Sequence, residues 1–489
     1  MDDNRAPQSA MPNPSYAAWP RAFSDIQREH TFEPLRVQGR LPDDLSGTLY
    51  FNGPGSFHAF GEHHPFWLDA DGATSAFRIS GGEASGAVKM VRTRSYLAEQ
   101  RAQRRLYARF ERRSPRPLRE LFGGERRNPG NTSVWHVQDR LYALCQAGSP
   151  VRIDPDDLSS LGEYEFPSVG KRPLSAHASY CRARRAFYNF ALAPGRQSSL
   201  ELFEFPDDGG DRLVARVPLP AASFVHDFMV TSRHALFVVP PFRIEALPML
   251  LQLRTLSQCL HYRPEQPAEV IVVALDAPHT VTRIELPACF VLHFANAFEE
   301  GSTLVADAPV SHDAQRTWRW LTALGRGQSV PRPEVSLQRL HVDLNASSAR
   351  WEALSSACEE QPRISPWVEN APHRYIYTVG LGGEHAGLPN VLRKTDVAKR
   401  RAHQLDFGSE TYPSEPVFVP RSAARTEDDG YLLSLVYDAK QHASQLVVLD
   451  AATFDAEPLA RLALGQHVPP PFHGTWLDTR WSAPHPFQQ

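Results

Sequence analysis

Four histidines share one kind of surrounding, at the start or end of a short apolar run. They are His177 in Ala176-His177-Ala178, His226 in Val225-His226-Asp227-Phe228, His293 in Leu292-His293-Phe294-Ala295-Asn296-Ala297-Phe298-Glu299-Glu300-Gly301, and His473 in Phe472-His473-Gly474-Thr475-Trp476. A single histidine among Phe, Leu and Val is ordinarily a packing residue. Four in matching contexts, dispersed from 177 to 473, suit ligands that converge on one metal ion from separate elements. One helix or strand presents at most two such ligands at useful spacing. Imidazole binds zinc, copper, iron or nickel, and the residues alone leave the ion open. Carboxylates bonded to the distal ring nitrogens would fix the tautomers and supply compensating charge. Glu360 in Cys358-Glu-Glu-Gln-Pro-Arg-Ile364 and Glu415 in Pro413-Ser-Glu-Pro-Val-Phe-Val419 are acids in apolar surroundings that suit this role. A structural salt bridge is the alternative for each.

Other chemistries have no motif to carry them. There is no GxSxG nucleophile elbow, Walker A loop, HExxH or dinucleotide fingerprint. The adjacent pair His63-His64 would point to opposite faces of a strand, and with His58 it reads as surface or packing. Five scattered cysteines with no CxxC spacing argue against a disulfide framework or cysteine zinc site and suit a reducing compartment. A net charge of -3 gives no reason to expect nucleic acid or an anionic membrane as partner.

The elements that must position the histidines read as strands. Short β-type runs recur from Leu41 onward, among them Gly47-Thr-Leu-Tyr-Phe51, Ala235-Leu-Phe-Val-Val239, Val270-Ile-Val-Val-Ala274 and Gln445-Leu-Val-Val-Leu-Asp450. Gly, Pro, Asp and Asn separate them, and 42 prolines fit strands and turns better than helices. Without a βαβ rhythm, the pattern predicts an all-β sandwich, barrel or propeller. Residues 1–16 are polar and rich in Pro, Asn and Ser, which predicts a disordered tail with no signal peptide. Residues 17–489 show no interdomain linker and are expected to form one domain. No apolar run is long enough to span a bilayer, so a soluble, cytoplasmic protein is expected.

Two stretches break the strand pattern. Residues 97–128 are arginine-rich, with Arg109 and Arg127 among ten arginines, and predict a solvated, partly helical insertion or a basic patch. In residues 246–262, Met249, Leu253, Leu256 and Leu260 fall at i, i+4, i+7 and i+11, one face of a helix. That helix would either pack on the β scaffold or leave a peripheral patch touching lipid or admitting an apolar substrate.

The chain resembles the carotenoid cleavage oxygenases, the non-heme iron family that includes apocarotenoid and stilbenoid cleaving enzymes and the retinoid isomerase. The likeness begins near residue 30. It is carried by Gly47-Thr-Leu-Tyr-Phe-Asn-Gly-Pro54, Trp67-Leu-Asp-Ala-Asp-Gly72, Val91-Arg-Thr93, Asn131-Thr132 and Ser175-Ala-His177. The more specific matches are His226-Asp-Phe228, His293-Phe-Ala-Asn-Ala-Phe-Glu299, Glu415-Pro-Val-Phe-Val-Pro420 with Glu427-Asp-Asp-Gly430, and His473-Gly-Thr-Trp476. The resemblance implies a seven-bladed β-propeller with iron(II), Fe(2+), on its axis, held by His177, His226, His293 and His473 under a helical and loop cap. Glu360 and Glu415 match two of three glutamates that support the ligands, and Gln146 stands at the third. Thr132 matches a threonine close to the iron that limits access to an open coordination position. Phe51 stands where the family has arginine. The implied activity is O2-dependent cleavage of a conjugated double bond of a carotenoid or apocarotenoid, giving two carbonyl products. The alternatives are a stilbenoid cleaver, with Arg127 holding the phenolate where that group carries lysine, and a propeller that binds an apolar ligand without turnover.

Overall fold

A computed structural model describes residues 18–478 apart from 116–126, 147, 194–197, 252 and 384–386. The expected tail, residues 1–16, lies outside the described residues. The strands explain their own apolar composition. In Gly47–Ser56 and Gly430–Asp438 every residue but the last is buried. A strand covered on both faces needs no polar alternation, and each main sheet here lies between two others.

Seven antiparallel sheets of four to six strands stand around an axis as the blades of a propeller. Their innermost strands, which touch from blade to blade, include Ser133–Val137, Ser179–Cys181, Met229–Val230, Asn296–Glu300, Glu359–Arg363, Val417–Pro420 and His473–Asp478. The blade interfaces carry separate apolar cores. Phe190, Phe228 and Phe237 fill one, and Leu49, Phe51 and Phe77 meet Leu433, Leu435 and Val448 in another. Between the blades of Thr303–Ser311 and Tyr375–Gly380 the apolar cluster is small, and a buried polar network takes its place. Arg339 donates twice to Asp307 at 2.8 Å. Asn296 donates to the carbonyls of Val368 and Ala371 at 3.0 and 2.9 Å.

The two ends of the described chain close the ring. Arg36–Gly39 pairs with Ala460–Ala463, and Gly47–Ser56 receives His473–Asp478 on its inner side. Gly474 permits that approach, since a Cβ there would stand 2.6 Å from the Phe51 ring. Phe51, the departure from the family's arginine, is wholly buried in this seam.

Helix Ala314–Leu324 covers the axis, burying Trp320, Leu321 and Leu324 in a cluster with Trp19, Phe23, Phe57 and Trp67. The helical reading of residues 246–262 is corrected: there are two short helices, Ala246–Leu250 and Leu256–Cys259, followed by strand Leu260–Tyr262. Thr255 explains the restart. Its hydroxyl accepts from the Gln258 amide while the Gln258 side chain returns to the Thr255 backbone, a capping box that begins a new helix. In the arginine-rich stretch, of which residues 116–126 lie outside the described residues, helix Arg94–Ala102 is capped by Thr93 and Arg101, Arg104, Arg112 and Arg113 are exposed. The solvated reading is corrected only for Arg109 and Arg127, whose side chains are buried, 2% and 5% exposed.

Candidate metal centre

Each of the four histidines lies at, or a few residues before, an innermost strand: His177 before Ser179–Cys181, His226 before Met229–Val230, His293 before Asn296–Glu300, and His473 at the start of its own strand. Inner strands begin beside the axis, so this placement gathers side chains from four blades. The Nε2 atoms of His177 and His226 are 3.0 Å apart. Ligand atoms of His177, His293 and His473 all lie within 4.8 Å of one another. The His226 and His293 ring centroids are separated by 5.2 Å.

These residues fit a metal ion. Nitrogens that share one first-row ion at about 2.1 Å and at right angles sit roughly 3 Å apart, the His177–His226 separation. The His293 Nε2 is buried without a hydrogen-bond partner among the described residues, an expensive state for a polar atom unless something else meets it. Burial, reinforced by the other imidazoles, holds His177 and His226 well below the ordinary histidine range, which keeps them neutral and able to ligate. Burial also lowers His473, against the pull of Glu415. At His293, burial is outweighed by the charge and hydrogen bond of Glu360, and the ring is raised.

Two carboxylates stand behind the imidazoles. His293 Nδ1 donates to Glu360 at 2.6 Å, and His473 Nδ1 donates to Glu415 at 3.0 Å. Such bonds orient a ligand ring and fix its tautomer. The second Glu415 oxygen accepts from the Gly474 amide at 2.7 Å and from Arg363 at 2.9 Å. Gln146 does not serve His226 in this way. Its amide donates to the Val225 carbonyl at 3.2 Å, and its oxygen faces the Ala176 amide at 3.5 Å. Thr132 lies on the cavity wall, its hydroxyl donating to Asn131 at 3.1 Å.

Three supporting residues escaped the sequence reading. Asp227 accepts from the Phe228 amide at 2.7 Å and the Phe294 amide at 2.9 Å, tying the His226 loop to the His293 loop. The Ser175 hydroxyl donates to the His226 carbonyl and accepts from the His177 amide. Arg363 restrains Glu415. The first two sit inside quoted motifs, beside a histidine, which is the only signal sequence offered. Arg363 gave none.

His226, His293 and His473 open onto a cavity of about 660 Å³. Its wall is chiefly apolar and aromatic, including Phe66, Phe110, Phe224, Trp318, Leu388 and Tyr437. Phe66 and Phe110 stack at 4.1 Å between ring centroids. Arg127, the candidate phenolate partner, is tied to Asp69 at 3.0 Å and to Asp71 at 2.6 Å. Its charge is balanced within the protein.

Fold and site define a seven-bladed propeller with four imidazoles gathered beneath an apolar chamber. Residues 23–478 match the family described as retinal pigment epithelial membrane protein. The chain is 32% identical to apocarotenoid-15,15'-oxygenase of Synechocystis sp., over 97% of this chain and 99% of that one. It is 27% identical to lignostilbene-alpha,beta-dioxygenase isozyme III of Sphingomonas paucimobilis, over 91% and 93%. The crystal structure of a cobalt-substituted Synechocystis apocarotenoid oxygenase superposes with a TM-score of 0.86 at 30% identity, covering 95% of this chain and 99% of that one. The protein belongs to this family, the carotenoid oxygenases.

Proposed function

We propose that the protein is an iron(II)-dependent dioxygenase that cleaves a conjugated C=C bond of an apocarotenoid into two carbonyl products. The observation that carries this reading is the convergence of His177, His226, His293 and His473, the last three on the wall of an apolar cavity. In the proposal these four hold the ion. Glu360 and Glu415 orient two of them, and Thr132 narrows the approach to the centre. Iron(II), when bound, supplies the electron density that activates O2 for addition across the double bond. The chain does the rest by shape. Phe66, Phe110 and Trp318 offer flat apolar surface to a planar polyene and exclude water. One O2 and one C=C account for both carbonyl groups, so no general acid or base is required. The stilbenoid alternative is weakened by Arg127, which already has two carboxylate partners.

Among the described residues no helix is long and apolar enough to cross a membrane. Leu247 and Leu253, however, are 66% and 65% exposed on a segment whose Met249, Arg254 and Leu256 line the cavity. In the proposal these leucines rest on a lipid surface and admit an apolar substrate from it.

The test is turnover of an apocarotenal under 18O2, with products read by mass spectrometry. Label in both carbonyl products, lost on iron chelation, is expected. Activity that survives chelation and anaerobiosis would overturn the proposal.

A further inference from the structure

His293 and His473 are each turned by a carboxylate at Nδ1, but His226 is not. Its Nδ1 is buried without a hydrogen-bond partner among the described residues, and the adjacent Gln146 bonds to Val225 and faces Ala176 instead. What lies against the His226 ring is Phe224, with centroids 5.8 Å apart and planes within 20°. Phe224 is clamped in turn, edge-on to Trp318 at 5.6 Å and to Phe242 at 6.4 Å. Trp318 belongs to the cap helix Ala314–Leu324. Rotation of an imidazole about χ2 is soft, so a ring with no bond at its distal nitrogen is fixed by what it packs against.

We propose that Phe224 is the positioning residue for His226, orienting it by stacking where Glu360 and Glu415 orient their partners by hydrogen bonding. The proposal rests on the metal-centre reading above. It couples cap to centre, because the ring that aligns one ligand is held by aromatic side chains of the chamber and its lining.

The experiment measures cobalt(II) affinity of the full chain by chelator competition, together with the visible absorption of the bound cobalt. Phe224→Leu is expected to weaken binding about tenfold and to shift the cobalt bands. Phe224→Tyr, which keeps the ring, should stay within about twofold of wild type. Gln146→Glu places a carboxylate beside Val225, one peptide from His226. In that background the Phe224→Leu loss should shrink to about threefold or less, since neighbouring residues that share a task are not additive. Equal loss in both backgrounds would make Phe224 a packing residue only and overturn the proposal, as would no loss in either. Should Phe224→Leu fail to fold, Trp318→Leu, which releases the stacked ring from the cap side, carries the same expectation. If His226→Ala leaves cobalt affinity unchanged, the metal-centre reading itself falls. If His226→Ala weakens binding while the Phe224 losses are equal, only the stacking role falls.

Discussion

Glu415 and His473 meet at 3.0 Å across 58 positions of sequence, and the carboxylate is fixed from its other side by Arg363 and the Gly474 amide. Burial alone would raise the Glu415 carboxyl. The Arg363 charge and the His473 contact outweigh it and hold the group at about 2. The acceptor behind His473 therefore stays charged at any physiological pH.

Glu415→Gln keeps the shape and removes that charge. Loss of a charged partner behind a ligand typically weakens metal binding about 10–100-fold. Chelator competition with iron(II) should show a loss in this range, and an unchanged affinity would mean that the Glu415 charge does not support the centre.

A second depressed carboxylate contributes to acid stability. Glu299 accepts from His234 at 3.1 Å and from Arg233 at 2.5 Å, joining two blades away from the metal centre. Burial raises its carboxyl, but the bonds from His234, Thr231 and Arg233 prevail and bring it to about 2. A depressed carboxyl stabilises the fold above its unfolded value near 4.5 and loses that contribution as pH falls toward 2. The contribution, reduced by solvent screening of a half-buried group, is on the order of 1–2 kcal/mol by linkage. Glu299→Gln should flatten the pH dependence of unfolding free energy between roughly pH 5 and pH 2. An acid limb as steep as that of wild type would refute the assignment.

Arg127 has a structural role that can be separated from substrate binding. Breaking a buried ion pair by removing one partner costs about 3–5 kcal/mol, because the remaining charges are stranded. Arg127→Met should lose stability on that scale in urea unfolding, since Asp69 loses its ion pair and Asp71 keeps only the longer contact to Arg109 at 3.6 Å. A stable variant that selectively lost binding of hydroxystilbenes would instead restore the phenolate role.

The exposed leucines make a prediction independent of the iron. Leu247→Asp with Leu253→Asp should reduce co-sedimentation with phosphatidylcholine vesicles at least about tenfold, given about 1.5–3 kcal/mol for each fully buried leucine. Turnover of a detergent-dispersed apocarotenal should be retained. Equal vesicle binding by the variant and wild type would remove the lipid contact.

The strand-rich character and the four converging histidines were legible because each histidine carries a local apolar context that folding preserves. Glu360 and Glu415 share that apolar context, which left a structural salt bridge equally open, and it was the resemblance that selected them. The closing pairs Gly47–Asp478 and Arg36–Ala463 were not, since nothing local marks strands whose partners lie at the opposite end of a chain. The 246–262 segment misled because Met249 and Leu256 face the cavity and Leu253 faces solvent. Their helical spacing therefore did not record one buried face. Arg109 and Arg127 were misread because their acidic partners Asp69, Asp71 and Glu99 lie outside the arginine-rich run or look unremarkable within it.

Because the strand bearing His473 is held by its pairing with Gly47–Ser56, with His473 opposite Asn52, the same hydrogen bonds that fasten the ring also fix one imidazole of the cluster. Loosening of that seam would carry the imidazole out of register with the other three. The integrity of the ring and the geometry of the cluster therefore stand or fall together.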